Sequence, residues 1–312
     1  MPIQPQSPPS AVASQPSPAS SLAPALNAPL YYLESNRSGR IAYYADLPKD
    51  SSGTRPLLLI HSINAAPSSY EVKPLFDHFR GRRALYSIEL PGFGQSERGE
   101  RRYTPELFAG AIAELLEQVI GQATDLVALS LSAEFAARAA LEVPDRISSL
   151  ALISPTGFSK RPLPSPRVGR IAHGALSAPL WGQKLFDLVA SRRSIRYFLN
   201  KSFCAAAPGD LIDYAYASAH QPGARHAPLC FLSTSLFTPH AMEQLYAKLT
   251  HLPVLAIADR DPYVGFERLA EFTAARPNWH HRTLKPHWGL PHWERPDLTF
   301  ATLERFWEHG EP

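Results

Sequence analysis

A serine stands where an apolar run meets an alanine-rich stretch, in Val127-Ala128-Leu129-Ser130-Leu131-Ser132-Ala133. A sharp strand-to-helix turn there would force Ser130 into a strained backbone conformation and lift its hydroxyl above a sheet. Side chains two residues to either side must then be small, because the strand and helix backbones approach closely. Ala128 and Ser132 meet that need. The same turn leaves the amide of Leu131 unpaired at a helix start, where it can face a developing oxyanion. A serine hydroxyl becomes a useful nucleophile only when a base takes its proton and a carboxylate orients that base. An ordinary βα turn with Ser130 as helix N-cap accounts for the same residues without chemistry.

The elements around this turn predict how it would be held. Residues 30–34 and 40–44 read as two strands joined by a turn at 36–39. The continuous apolar run 57–60 reads as a strand buried on both faces; 84–90, 126–129, 150–153 and 254–258 read as further strands, and 282–284 as the last. Residues 69–79 carry Val72, Leu75, Phe76 and Phe79 at helical spacing. Thr104 and Pro105 start a helix whose face bears Phe108, Ile112, Leu115, Leu116 and Val119. Alternating strands and helices imply a mainly parallel sheet covered on both faces. From about 157 to 252 the alternation stops and helical segments follow one another. Both ends return to the same sheet, so this stretch is expected to be a helical lid on a domain spanning 29–312.

Four further segments accompany the serine. Leu59-Ile60-His61-Ser62 ends a buried strand, and Glu89-Leu90-Pro91-Gly92-Phe93-Gly94-Gln95-Ser96 follows the next. Ala258-Asp259-Arg260-Asp261-Pro262 follows a later strand, and Leu290-Pro291-His292-Trp293-Glu294-Arg295-Pro296 follows the last. They resemble, in order, the H-G oxyanion loop, the D-x-P-G-x-G-x-S loop, the G-x-x-D acid turn and the histidine segment of the α/β-hydrolase superfamily. With the serine elbow the set covers about residues 30–307. The resemblance implies an α/β-hydrolase fold with an eight-stranded, mostly parallel sheet and a helical lid. It also implies roles: Ser130 as nucleophile, Asp261 as the acid, and the amides of Ile63 and Leu131 as the oxyanion hole. A serine at the elbow separates the chain from the dehalogenases and epoxide hydrolases of this fold, which carry aspartate there.

Several positions depart from the family pattern. Ser62 replaces the glycine of H-G, Ala128 and Ser132 replace both elbow glycines, and Glu89 replaces an aspartate. Ser132 is expected to act as a small packing residue. Matching Trp288-Gly289-Leu290-Pro291-His292 to the family's G-H-L-P-H without a gap places Gly289 where the catalytic histidine belongs. Three readings of the base follow. His287 lies two residues earlier in the loop expected to deliver the base, and is favoured. His292 lies three residues later, where family members carry a structural histidine. On the third reading no histidine serves.

Composition narrows the rest. The formal net charge is +3 and the basic residues are scattered, so no nucleic-acid partner is expected. Two cysteines, Cys204 and Cys230, form no disulfide framework, which points to a reducing, cytoplasmic setting. No membrane span is expected, since no apolar run is long enough. The first thirty residues contain eight prolines, six serines and no charge, and 1–28 read as a disordered tail. His280, His281, His287 and His292 lack the spacing of a metal site, and no cofactor is expected. Trp181, Phe186, Phe198 and Phe203 suggest that the lid encloses an apolar pocket. The favoured function is therefore a serine hydrolase taking a small apolar acyl substrate, such as a carboxylic ester. The alternative is a non-catalytic binding protein of the same fold.

Overall fold

A computed structural model describes residues 22–49, 53–178 and 181–309. Eight strands form one sheet: β1 (Leu30–Ser35), β2 (Gly39–Asp46), β3 (Leu57–Ile60), β4 (Leu85–Ile88), β5 (Thr124–Leu129), β6 (Ile147–Ile153), β7 (Val254–Ile257) and β8 (Trp279–Arg282). Their order is β1-β2-β4-β3-β5-β6-β7-β8. The two first pairings are antiparallel, and every pairing from β4 to β8 is parallel.

Side-chain alternation along the central strands divides the core in two. Leu58, Ile60, Leu126 and Ala128 point to one face, where Phe108, Ile112, Phe135 and Ala139 cover them. Leu57, Leu59, Val127 and Leu129 point to the other, beneath Leu75, Phe76, Leu303 and Phe306. These strands are fully buried, so Leu57–Ile60 and Leu126–Leu129 read in sequence as unbroken apolar runs. The covering helices are α1 (Lys73–Phe79), α2 (Pro105–Leu115) and α3 (Ser132–Glu142). Thr104 caps α2 as expected: its hydroxyl accepts from the Leu107 amide at 3.2 Å. Between β6 and β7 come α4 (Pro166–Leu176), α5 (Gly182–Val189), α6 (Arg192–Lys201), α7 (Gly209–Ala219), α8 (His226–Leu232) and α9 (Ala241–Gln244). The chain closes with α10 (Leu269–Ala274), α11 (Pro291–Glu294) and α12 (Pro296–His309).

Two expectations shift. The last strand is Trp279–Arg282 rather than 282–284. As the sheet's edge strand it leaves His280, His281 and Arg282 partly in solvent, and an edge strand needs no apolar run. The N-terminal segment also differs from a tail reaching residue 28. Leu22, Ala25 and Leu26 are buried in the second core half. The Ala25 amide donates to the Tyr44 hydroxyl at 2.8 Å. The Leu22 carbonyl accepts from the Gln95 amide group at 2.7 Å, and the Ala23 carbonyl accepts from the Tyr214 hydroxyl at 2.7 Å. Proline- and serine-rich composition hides three apolar anchors that suffice for docking. Residues 1–21 lie outside the described residues.

Candidate active site

Ser130 follows β5 directly and has a φ of 51°, the left-handed region that an L-residue adopts only under local constraint. The constraint is visible. The Ser130 amide donates to the Ile153 carbonyl of β6 at 2.8 Å, which extends the parallel ladder into the turn, and the Ser130 carbonyl accepts from Ala133 N as α3 begins. Ala128, level with Ile60 of β3, is fully buried. Ser132 does more than pack. Its hydroxyl donates to the His61 carbonyl at 2.6 Å, tying the first turn of α3 to the end of β3.

The oxyanion loop after β3 is anchored by Glu71, a buried carboxylate that no motif in the sequence marks. Glu71 Oε2 accepts from the Ser62 amide at 2.8 Å and Oε1 from Asn64 Nδ2 at 2.7 Å. Burial raises the Glu71 pKa above its ordinary value, and its bonds to Ser62 and Asn64 work against that rise. His61 Nε2 accepts from the Leu90 amide at 3.0 Å, so its proton resides on Nδ1, which donates to the Ser62 carbonyl at 2.7 Å. Burial lowers the His61 pKa to about 4, so the ring is neutral and its 3.7 Å approach to Glu89 is no ion pair. The amides of Ile63 and Leu131 donate to no protein acceptor among the described residues. An oxyanion hole needs such a pair of free donors beside the nucleophile.

Asp261 lies in the loop after β7. Its Oδ1 accepts from Tyr263 N at 2.7 Å and from Val264 N at 2.9 Å. Burial raises its pKa, and no cationic side chain offsets that rise. A Cβ added to Gly289 would stand 2.6 Å from Asp261 Oδ2. The Gly289 carbonyl accepts from the Ser154 hydroxyl at 2.8 Å. Ser154 itself follows β6 with a φ of 49°. Gly289 is thus held one residue away from the Ile153 carbonyl that receives the Ser130 amide.

The histidines lie elsewhere. His287 is 1% exposed, and its Nδ1 contacts the Trp288 carbonyl. Its Nε2 has no partner among the described residues. Burial lowers its pKa, and the carboxylates it senses are Asp259 and Glu294, not Asp261. His292 is fully buried on α11, where Nε2 donates to the Glu71 carbonyl at 2.8 Å beside Trp293 Nε1 at the same distance. Burial lowers the His292 pKa to about 4. Its contacts are structural: with Trp293 it holds the backbone of the residue that anchors the oxyanion loop.

Ile63, Ser130, Asp261 and Gly289 line a single cavity of about 930 Å³, whereas His287 and His292 do not. The histidine on its wall among the described residues is His240, exposed before α9. Of the lid aromatics singled out in sequence, Phe198 lines the cavity, joined by Phe231 and Phe237. Phe186 and Phe203 are buried off its wall, and Trp181 is exposed. Glu134 on α3 also faces the cavity. It accepts from Thr238 N at 2.7 Å and from the Thr156 hydroxyl, and burial raises its pKa to about 7. Among the described residues no group of three or more His, Cys, Asp or Glu side chains could hold a metal ion. No described helix is long and apolar enough to cross a membrane.

Comparison with known proteins agrees with this architecture. The chain is 29% identical over 112 residues to a dihydrolipoyllysine-residue acetyltransferase component of an acetoin cleaving system from Cupriavidus necator, a match covering 35% of this chain and 29% of that protein. It is 30% identical over 115 residues to an uncharacterized hydrolase from Bacillus subtilis, covering 36% and 41%. The matched stretch is thus less than half the length of either relative. Among solved structures, a haloalkane dehalogenase mutant from Agrobacterium tumefaciens superposes with a TM-score of 0.70 at 18% identity, covering 89% of this chain and 96% of that one. An enol-lactonase from Burkholderia xenovorans gives 0.66 at 16% identity, covering 88% and 98%. These two likenesses establish the fold. Residues 57–302 match the profile of the alpha/beta hydrolase family, and the chain belongs to that family.

Proposed function

We propose that the cavity takes a small apolar acyl compound, such as a carboxylic ester, and that Ser130 is the nucleophile that attacks it. The observation that carries this reading is the pair of acceptor-free amides, Ile63 and Leu131, beside a serine held at positive φ over the cavity. Donors fixed in advance stabilise the charge that develops on a carbonyl oxygen during attack. Asp261 supplies the charge that would steady a protonated base. His287 is the base favoured in sequence, but it lies off the cavity wall that Ser130 and Asp261 share. The position matched to the family's histidine is Gly289, and the Asp261 carboxylate already occupies the space its side chain would take, so neither His287 nor His292 is placed to receive the Ser130 proton. A second reading, binding of the acyl compound without turnover, is favoured by that same missing side chain.

A fluorophosphonate probe tests both. Labelling of the native protein that vanishes in Ser130→Ala and in denatured protein supports an activated serine. His287→Ala should then label within about twofold of wild type, since a side chain outside the site changes little. Loss of labelling in His287→Ala would return that residue to the role of base. Absence of labelling in wild type would favour the binding reading.

A further inference from the structure

Basic residues are scattered over the chain as a whole, but at the start of the lid nothing opposes them. No aspartate or glutamate occurs from 146 to 186. Lys160, Arg161, Arg167 and Arg170 are exposed there and form no ion pair among the described residues. Glu267 adjoins the first of them, its Oε2 accepting from the Lys160 amide at 3.3 Å. On α4 two stripes run side by side. The inner face rests on α8 and the residue after it: a Cβ on Gly169 would stand 3.0 Å from the Ser233 carbonyl, and His173 Nε2 lies 3.3 Å from Cys230 Sγ. That orientation turns Val168, Ile171 and Ala175, three and four residues apart, outward as one aliphatic stripe. Val168 is 54% and Ile171 74% exposed. Arg167 and Arg170 form the neighbouring stripe. Just before the helix, Leu163 is exposed and lines the cavity together with Lys160 and Arg161, so this surface adjoins the cavity mouth.

We infer that α4 and the segment 160–165 dock on an anionic lipid surface. Leu163, Val168 and Ile171 enter the boundary between headgroups and acyl chains, and the four cations meet the lipid phosphates. Aliphatic side chains beside unpaired cations are the pattern that binds a helix in the plane of such an interface, by apolar burial and attraction to anionic lipid together. The eleven residues of α4 are too few to span the hydrocarbon core, so the helix lies along the surface. The same aliphatic side chains offer no stacking platform to a nucleic acid. Docking sets the cavity mouth beside the bilayer, whatever chemistry Ser130 performs.

Co-sedimentation of the full chain with vesicles tests this, using phosphatidylcholine alone and equal parts of phosphatidylcholine and phosphatidylglycerol. Wild type should bind the anionic vesicles tighter by about tenfold or more, and added salt should shrink the difference. The double variant Arg167→Glu/Arg170→Glu should lose about tenfold or more on anionic vesicles. Lys49→Glu/Arg305→Glu, which changes net charge equally after β2 and on α12, should bind as wild type does. Val168→Ser/Ile171→Ser should weaken binding while keeping its salt dependence. All these side chains are exposed, so melting temperatures should match wild type. Equal binding to both vesicle types, or equal loss in the two charge variants, would overturn the surface. So would duplex DNA binding as tight as vesicle binding, or self-association without vesicles that Val168→Ser/Ile171→Ser abolishes, since the face would then belong to a nucleic acid or to a second copy of the chain. None of these residues lies at the serine, so fluorophosphonate labelling of Ser130 is read independently of vesicle binding.

Discussion

The two halves of the site treat their departures from the family pattern differently. On the oxyanion side every altered polar residue is tied in. Ser132, in place of a glycine, bonds the His61 carbonyl. Ser62, also in place of a glycine, gives its amide to Glu71 and accepts from Asn64 Nδ2 at 2.9 Å. Glu89, in place of an aspartate, accepts from the Ser69 amide at 3.1 Å, and Gly94, whose absent Cβ would lie 1.9 Å from that carboxylate, makes room for its extra methylene. On the acid side the Asp261 carboxylate closes over Gly289, whose absent Cβ would lie 2.6 Å from Oδ2, and no side chain there ties that oxygen in. A replacement that is tied in preserves geometry, whereas an untied one changes what the site can accept.

The contrast breaks most severely at Glu71. Glu71→Ala leaves the Ser62 amide and the Asn64 side chain without their acceptor, and each buried unsatisfied group costs about 1–3 kcal/mol. The expected loss in urea unfolding is about 2–4 kcal/mol, accompanied by slower Ser130 labelling, with Glu71→Gln intermediate on both measures. A change in stability alone would show that the clamp does not set the oxyanion loop.

The next effect sharpens how far the support on the oxyanion side extends. Residues 22–28 reach the loop after β4 through Gln95 and the lid through Tyr214. Removing 1–28 rather than 1–21 should lower stability by about 2–3 kcal/mol, from lost apolar burial and hydrogen bonds less the ordering entropy regained. Equal melting temperatures for the two truncations would refute a structural role for this segment.

The smallest effect is a pH dependence at Glu134. Its folded pKa of about 7 lies above the ordinary 4.5 because of burial, so the folded state binds the proton more tightly than the unfolded chain. The stability this gives is fully present below about pH 4.5 and is lost as pH rises toward 7. Glu134→Gln removes that dependence, so its melting temperature relative to wild type should climb between pH 4.5 and 7 and then level off. A difference that stays constant across that window would mean that Glu134 titrates alike in both states.

The parallel sheet and the elbow were legible in sequence because buried strands, an N-capped helix and a chain-ordered set of loop motifs each leave a local signal. Gly289 was legible too, as a gap in the histidine segment. Other features depend on contacts with no local trace. Glu71 meets His292 across 221 positions, and nothing around Glu71 announces a clamp. His287 and His292 could not be separated from a base by type and spacing, because burial and ring orientation decide their chemistry. The polar edge strand β8 and the three anchors at Leu22, Ala25 and Leu26 were hidden by compositions that usually mark loops and tails.

Register across the sheet turns the site into a measured span. Leu129, Ile153, Ile257 and Arg282 stand level on β5, β6, β7 and β8, so the strand bearing the serine and the strand before Gly289 are three intervals apart, about 14 Å at the usual spacing. Gly289 nevertheless rests on Ser154 at the end of β6. The segment 283–289 must therefore run back across the end of β7, and its length is matched to that return. Adding or removing one residue there would carry Gly289 off the Ser154 hydroxyl and change how it meets the Asp261 carboxylate on the cavity wall, without touching the serine or its two amides. The loop's length, rather than any side chain in it, is the dimension by which this cavity's choice of ligand could be retuned.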